Sequence, residues 1–246
     1  MKKNIGLITS AVSIAMLLNS CLGVKISTAS KDVTKNYSIA APFHAIETWA
    51  TANVEYTVGD EVKLEITAPE EIMQYMIVEE EDGVLKIGHD NFNLKKQLKI
   101  GKYNITARVT APAIDCLKTT GTGDIKADYV KGEKAELLSY GTGEIEVKSL
   151  EGGNAILGTY GTGDIEIDGI SVKTAEAQTA GTGDIEIKKI NASNLRASTS
   201  GTGDITIRGG QVAEGWFSAG GTGDIEAKGL KVGNPHIEGD KDNIKL

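Results

Sequence analysis

At 246 residues the chain is long enough for one or two domains. Its 34 acidic side chains outnumber 26 basic ones, for a formal net charge of −8, which argues against a nucleic-acid partner and against electrostatic adhesion to anionic lipid. Only two cysteines are present, so packing rather than a disulfide framework has to supply stability.

From the amino end, Lys2 and Lys3 precede an apolar stretch, Ile5 to Leu18, too short for a permanent membrane span. Residues 1–20 therefore read as an export signal peptide. It closes on Leu18-Asn19-Ser20-Cys21, which resembles the lipobox of bacterial lipoproteins. That resemblance implies cleavage before Cys21 and lipidation of Cys21, with acyl chains such as palmitate anchoring the protein to a membrane. An ordinary secretory signal with a chance Cys is the alternative. Leu22 is not Asp, so the inner-membrane retention signal of some bacteria is missing, and the outer membrane is the expected location, on either face. Residues 21–36 read as a flexible tether. With Cys21 lipidated, Cys116 has no disulfide partner, and it reads as a small core residue without a catalytic neighbour.

Next come short alternating strands, Val54-Glu55-Tyr56-Thr57-Val58 and Val62-Lys63-Leu64-Glu65-Ile66, around Gly59-Asp60. Pro69 to Met76 allows a brief helical turn, and Asp82-Gly83 is a turn signal. Leu85 and Ile87, then Ile105 and Ala107, fall in the phase of positions 5 and 7 of the repeat that follows.

That repeat is Gly-Thr-Gly-(Asp/Glu)-Ile, beginning at Gly121, Gly141, Gly161, Gly181, Gly201 and Gly221 with an unvarying period of 20. Numbered from its first Gly, position 5 is always Ile, position 7 is Ala, Val or Ile, and the residue between is usually charged. A second alternation occupies positions 15, 17 and 19, as in Ala155-Leu157-Thr159, and position 10 is apolar in Val130, Leu150, Ile170, Ile190 and Leu230. Two or three short strands with tight corners suit one rung of a coiled sheet whose rungs pair at about 4.8 Å. A β-propeller blade needs about 40 residues, and the leucine-rich ladder is missing. The fold expected is all-β: a right-handed parallel β-helix with 20-residue rungs. Residues 37–246 form a single domain, with degenerate capping rungs over 37–120 and regular rungs over 121–240; a separate small β domain at the start is the alternative.

By parity the glycines at positions 1 and 3 face inward, where they permit a sharp bend or a close approach of neighbouring walls. Position 2 is then an outward threonine rank, and position 4 an outward acid ladder of Asp124, Glu144, Asp164, Asp184, Asp204 and Asp224. Charges 4.8 Å apart repel by about 0.9 kcal/mol in bulk water, which a fold tolerates without a cation. Capping of backbone amides in the acid's own turn is the favoured role, and calcium coordination the competing one. Trp216 points outward by parity and is a candidate contact patch, unless it packs under a terminal loop.

The stretch Phe43-His44-Ala45-Ile46 through Val54-Glu55-Tyr56, then Asp82-Gly83-Val84-Leu85-Lys86-Ile87, and the run Val109-Thr110-Ala111-Pro112-Ala113-Ile114 leading into Gly121-Thr122-Gly123-Asp124-Ile125, resemble the putative auto-transporter adhesin, head GIN domain family. The resemblance spans about residues 37–246 and implies an exported β-helical protein with no catalytic residues and no cofactor. A non-enzymatic envelope lipoprotein is expected, adhesive or ligand-binding, whose partners are glycans or envelope and host proteins. A polysaccharide-active β-helix enzyme and a purely structural or assembly protein, including a homo-oligomer, are the alternatives.

Overall fold

A computed structural model describes residues 31–90 and 103–246. The expected signal peptide, Cys21 and the first part of the tether lie outside the described residues, as does Gly101. Every strand described belongs to one stacked, coiled sheet, a β-solenoid.

The regular part follows directly from the period. Strands β9 (Ile125–Ser139), β10 (Ile145–Thr159) and β11 (Ile165–Thr179) pair in parallel, each residue with the one 20 later. Beyond them each coil splits in two: β12 (Ile185–Ile187) and β13 (Ile190–Thr199), β14 (Ile205–Ile207) and β15 (Gly210–Ala219), β16 (Ile225–Glu226) and β17 (Leu230–Gly239). The same offset continues between them. Pairing lapses at positions 8 and 13, so each coil has three straight segments, and the Gly-Thr-Gly phrase makes the third corner.

Inside the column, like stacks on like. The six position-5 isoleucines are fully buried, and positions 7, 10, 15 and 17 extend the filling. Burial of each large aliphatic side chain contributes roughly 1.5–3 kcal/mol. The cluster is continuous from Phe43 to Ile244, so both ends of the column share one core.

The amino-terminal end departs from the expected simple succession of rungs. β2 (Ala45–Thr48) lies between β6 (Val84–His89) and β8 (Cys116–Thr119), parallel to both. β3 (Ala52–Val58) likewise lies between β7 (Ile105–Ala111) and β9. In space, the coil made of residues 45–58 is therefore inserted between the coil containing 84–111 and the one beginning at 116. The register corrects the expected phase. Leu85 aligns through Ile46 and Leu117 with Leu137, hence with position 17 rather than 5. Ala107 aligns through Val54 with Ile125, hence with position 5 rather than 7. Alternation tells which side a residue faces, and these shifts preserve parity, so both alignments keep the apolar side inward.

Antiparallel strands finish this end on two sides. β4 (Lys63–Pro69) pairs with β7, and β1 (Asp32–Tyr37) pairs with β4. Residues 32–36, expected within the tether, thus belong to the sheet, because Val33 and Tyr37 reach the core. A short helix α1 (Glu70–Met73) leads to β5 (Met76–Glu81), which pairs with β6 through the two-residue turn Asp82-Gly83. Both turn residues have positive φ, 55° and 77°, the geometry that matches the twist of a tight hairpin.

At the other end, β18 (Ile244–Lys245) covers β16, while β17 has no coil beyond it among the described residues. Pro235, Ile237 and Gly239 occupy inward positions there, yet all three are exposed.

Candidate functional site

The repeated phrase is built from three interlocking ranks. The glycine carbonyl at position 1 accepts the amides of positions 2 and 3 of the next coil; Gly141 O lies 2.8 Å from Thr162 N and 3.1 Å from Gly163 N. A Cβ on Gly161 or Gly163 would overlap the carbonyl oxygen of Gly141 or Gly143. These glycines keep ordinary negative-φ backbone, so close approach of neighbouring coils, and not a sharp bend, is what excludes a side chain.

The second rank is buried and polar. Thr48, Thr119, Ser139, Thr159, Thr179 and Thr199, at position 19 or in register with it, are at most 2% exposed. Thr119 Oγ1 donates to Gly123 O and Ser139 Oγ to Gly143 O, each at 3.0 Å, while Thr159 Oγ1 reaches Gly183 O at 2.8 Å. The hydroxyls satisfy carbonyls that the corner turns into the core, where an unpaired acceptor costs about 1–3 kcal/mol. Their recurrence at position 19 was a signal in the sequence, but alternation alone reads Thr there as a small core residue.

The acids form the third rank. Asp124, Asp164, Asp184 and Asp204 each accept, through Oδ1, the backbone amide of the acid in the next coil at 2.7–3.0 Å. The capped amide therefore lies in the neighbouring coil's turn and not in the acid's own, since coil stacking brings it nearer. Asn53 Oδ1 begins the rank by accepting Asp124 N at 2.9 Å, and Lys245 Nζ ends it 2.5 Å from Asp224 Oδ2. Neither Asn53 nor Lys245 is part of the repeat, so only the fold connects them with it. Glu144, one methylene longer, does not make the bond to Asp164 N among the described residues. Burial first, then the neighbouring carboxylates of Glu146, Glu166, Asp124 and Asp164, raise its pKa. No group of three or more His, Cys, Asp or Glu residues is arranged to hold a metal ion among the described residues.

Two long outer faces are unlike each other. On the face of positions 6 and 8, opposite charges meet between coils: Lys126 with Glu146, Lys148 with Asp128, Lys188 with Asp168, and Arg208 with Glu186. Lys126, Asp128, Glu146, Lys148, Asp168 and Lys188 line a shallow groove that Glu55 and Thr57 of the inserted coil extend. The Arg208 guanidinium holds the Glu186 carboxyl below its usual range.

The face of positions 14 to 20 carries aromatic rings instead. Tyr140 and Tyr160, 47% and 39% exposed, stack with centroids 4.8 Å apart and planes 14° apart. Lys118 Nζ lies 5.5 Å from the Tyr140 ring centre. Trp216 stacks on His236 of the next coil, with centroids 5.1 Å apart, while Phe217 is buried in the core. Trp216 is half-buried in that stack and in register with Arg196. The tyrosines escaped sequence reasoning because position 20 holds an aromatic in only two coils.

Cys116 is not a core residue: it takes an outward position of β8, half-buried and in register with Glu136. Burial, reinforced by Glu136 and Asp115, pushes its thiol up to about 12, so it is inert as a nucleophile near neutral pH. His44 bonds Asp115 at 2.8 Å, one step before the pair Ala45 and Cys116 in the same register.

Solved structures share this architecture. A putative adhesin from Bacteroides fragilis superposes with a TM-score of 0.65 at 24% identity, covering 88% of this chain and 99% of its own. One from Parabacteroides distasonis gives 0.62 at 16% identity, covering 85% and 98%. Another protein of Parabacteroides distasonis, described as a putative lipid binding protein, gives 0.51 at 20% identity, covering 85% and 97%. No curated protein matches the chain. The family model for the putative auto-transporter adhesin, head GIN domain, matches residues 42–229, which include the inserted coil and the glycine-cornered coils up to the start of the sixth. The chain belongs to that family.

Proposed function

We propose that this protein is a non-enzymatic adhesin of the cell envelope, a lipoprotein that presents a rigid column to an extended partner. The observation that carries the reading is the column's uniformity: coils in one constant register leave long flat faces, with no looped cleft among the described residues in which an isolated acid pair could work. Five of the six acids that stood out in the sequence are engaged, Asp124, Asp164, Asp184 and Asp204 by backbone amides and Asp224 by Lys245, a structural role that leaves them poorly suited to acid–base chemistry. Membership of an adhesin-like family supports the same reading.

In this reading residues 1–20 are removed on export, Cys21 carries the lipid, and the outer membrane holds the anchor. The segment between Cys21 and β1 serves as a short tether, and residues 37–246 act as a single domain. Glycans and proteins of the envelope or of a host are the partner classes. Saturable binding of the purified protein to envelope extracts or host-cell surfaces is the expected result. Turnover of a bound polysaccharide, or no saturable binding, would overturn the proposal. Metabolic labelling with a radioactive fatty acid should mark the wild-type protein and leave Cys21→Ser unlabelled.

A further inference from the structure

The carboxyl-terminal end of the column is unfinished along β17. β18 covers β16, but no strand lies beyond β17 among the described residues. One coil earlier the inward positions hold Gly215, Phe217 and Ala219, all buried; in β17 they hold Pro235, Ile237 and Gly239, all exposed. Ile237, in register above the buried Phe217, is 37% exposed. The backbone is left open as well. At position 20 the amide donates back to the position-19 carbonyl of the coil before, as Gly220 N does to Thr199 O at 2.8 Å and Asp240 N to Ala219 O at 3.2 Å. Position-19 carbonyls therefore point forward. Alternate residues of a strand turn their N–H and C=O groups to opposite edges, so positions 15 and 17 point forward too. In β17 the carbonyls of Pro235, Ile237 and Gly239, and the amides of Ile237 and Gly239, are thus directed off the end of the column.

Such an edge is a template for another strand. β5, an outermost strand at the other end, runs through Glu79, Glu80 and Glu81 and repels a copy of itself. β17 instead matches a copy of itself. Two columns meeting end to end about a two-fold axis pair antiparallel, and each residue faces the one equally far on the other side of the axis. Inward residues must face inward ones, so the axis passes through a residue and not between two. Centred on Pro235, the pairing lacks its central donors. Centred on His236, two imidazoles meet; on Glu238 or Gly239, acids meet acids. Centred on Ile237, it sets His236 against Glu238 of the partner subunit, and Glu238 against the partner's His236. Ile237 then exchanges both backbone bonds with the partner's Ile237, and the Gly239 amide reaches the carbonyl of the partner's Pro235.

We infer that β17 is a self-association edge: two copies join tail to tail, antiparallel and centred on Ile237, so that a partner of this protein is a second copy of the same chain. A closed two-fold pair occupies both open edges and stops at two. The inference rests on the adhesin reading above and names its partner. β1, which follows the tether in that reading, pairs only with β4 at the opposite end of the column from β17. Paired copies therefore carry their anchors at the two far ends of one doubled column, an arrangement that joins facing membranes.

The test uses protein carrying Cys21→Ser and Cys116→Ser, which removes the lipid and both native thiols. Sedimentation equilibrium should show monomer and dimer with nothing larger. Adding Ile237→Glu, which sets two carboxylates against each other at the axis, should raise the dimer dissociation constant about tenfold or more. Adding Ile237→Cys instead places two thiols across the axis with Cα atoms about 5.5 Å apart, within reach of a disulfide, so mild oxidation should yield a covalent dimer on a non-reducing gel. Tyr140→Cys, at a residue exposed on the side of the column, should stay monomeric there. Circular dichroism melts establish that each variant is folded. A parent protein that stays monomeric, assemblies larger than two, a dimer indifferent to Ile237→Glu, or a disulfide formed as readily by Tyr140→Cys as by Ile237→Cys would overturn the pairing. If the protein is monomeric yet binds envelope extracts saturably, the pairing falls and the adhesin reading stands. If it binds neither itself nor any envelope or host material, both fall.

Discussion

In the coils after residue 120, order along the chain is order in space, and every contact between coils spans about 20 residues. At the amino-terminal end the order is broken. The coil of residues 45–58 is threaded between later strands, and Thr122 N bonds Ala50 O across 72 positions. Both regions obey the same inward-outward alternation and share one core. The difference teaches that stacking fixes which residues face in, while the succession of coils is set separately, by the antiparallel strands β1, β4 and β5 that occupy the outermost places. An open-ended stack exposes a full edge to further pairing, and the interleaved end replaces that edge with a finished one.

The sharpest way to break the regular region is at its glycines. Gly163→Val forces a side chain into the carbonyl of Gly143 and should cost about 4 kcal/mol or more, lowering the melting temperature by roughly 10 °C or preventing folding. Gly220→Ala is the control: its Cβ would sit at ordinary contact distance, 3.6 Å from Thr199 O, and its melting temperature should stay within about 2 °C of wild type. Equal melting temperatures for the two variants would refute the close-approach argument.

Next, the shared core is tested by truncating one isoleucine in each region. Ile66→Ala in β4 and Ile165→Ala in β11, both fully buried, should each cost about 2–5 kcal/mol. If the regions form one cooperative unit, both variants lower a single calorimetric transition. Two separated transitions, with each variant moving only one, would make the amino-terminal region an independent domain.

Smaller effects belong to the corner ranks. Thr179 Oγ1 lies 2.8 Å from Thr199 Oγ1 and 2.9 Å from Gly203 O, so Thr179→Val, nearly isosteric, should destabilise by about 1–3 kcal/mol in urea denaturation. Glu144→Asp should do the reverse, restoring the missing bond to Asp164 N and adding about 0.5–1 kcal/mol. The pH dependence carries a definite sign. A carboxyl whose folded pKa is raised binds its proton more tightly in the native state, so its unfavourable contribution is present at neutral pH and fades as pH falls through the raised value. Glu144→Gln should therefore gain stability over wild type at pH 7 and lose that advantage near pH 4; a constant difference between the two pH values would contradict the raised pKa.

Much of this was legible in the chain because a fixed period ties each residue to its vertical neighbours. Ile125 through Ile225 announce the core rank, and the invariant glycines announce a place without room for a side chain, although what fills that room is the neighbouring coil's carbonyl and not the core. What the period cannot show is a partner outside it. Asn53 and Lys245 bracket the acid rank only because folding delivers them there, and β2 and β3 carry the alternation of any strand while saying nothing about which strands lie beside them. Trp216 was conspicuous in the sequence, whereas the stacked Tyr140 and Tyr160 were not, because position 20 is aromatic in only two coils. The acids were legible as caps of backbone amides, but not the place of the amide: Asp124, Asp164, Asp184 and Asp204 each reach the next coil's turn.

The threaded coil has a consequence for how the protein reaches its folded state. β2 and β3 are synthesised early, yet each has its two neighbours in segments made later, so neither can complete its hydrogen bonding until residues beyond 84, and finally those near 125, are available. Loop closure over such separations is slow, whereas each later coil needs only the one before it. The regular coils can accordingly form before the threaded end has closed, and pulsed hydrogen exchange during refolding should find amides of β15 protected no later than those of β3.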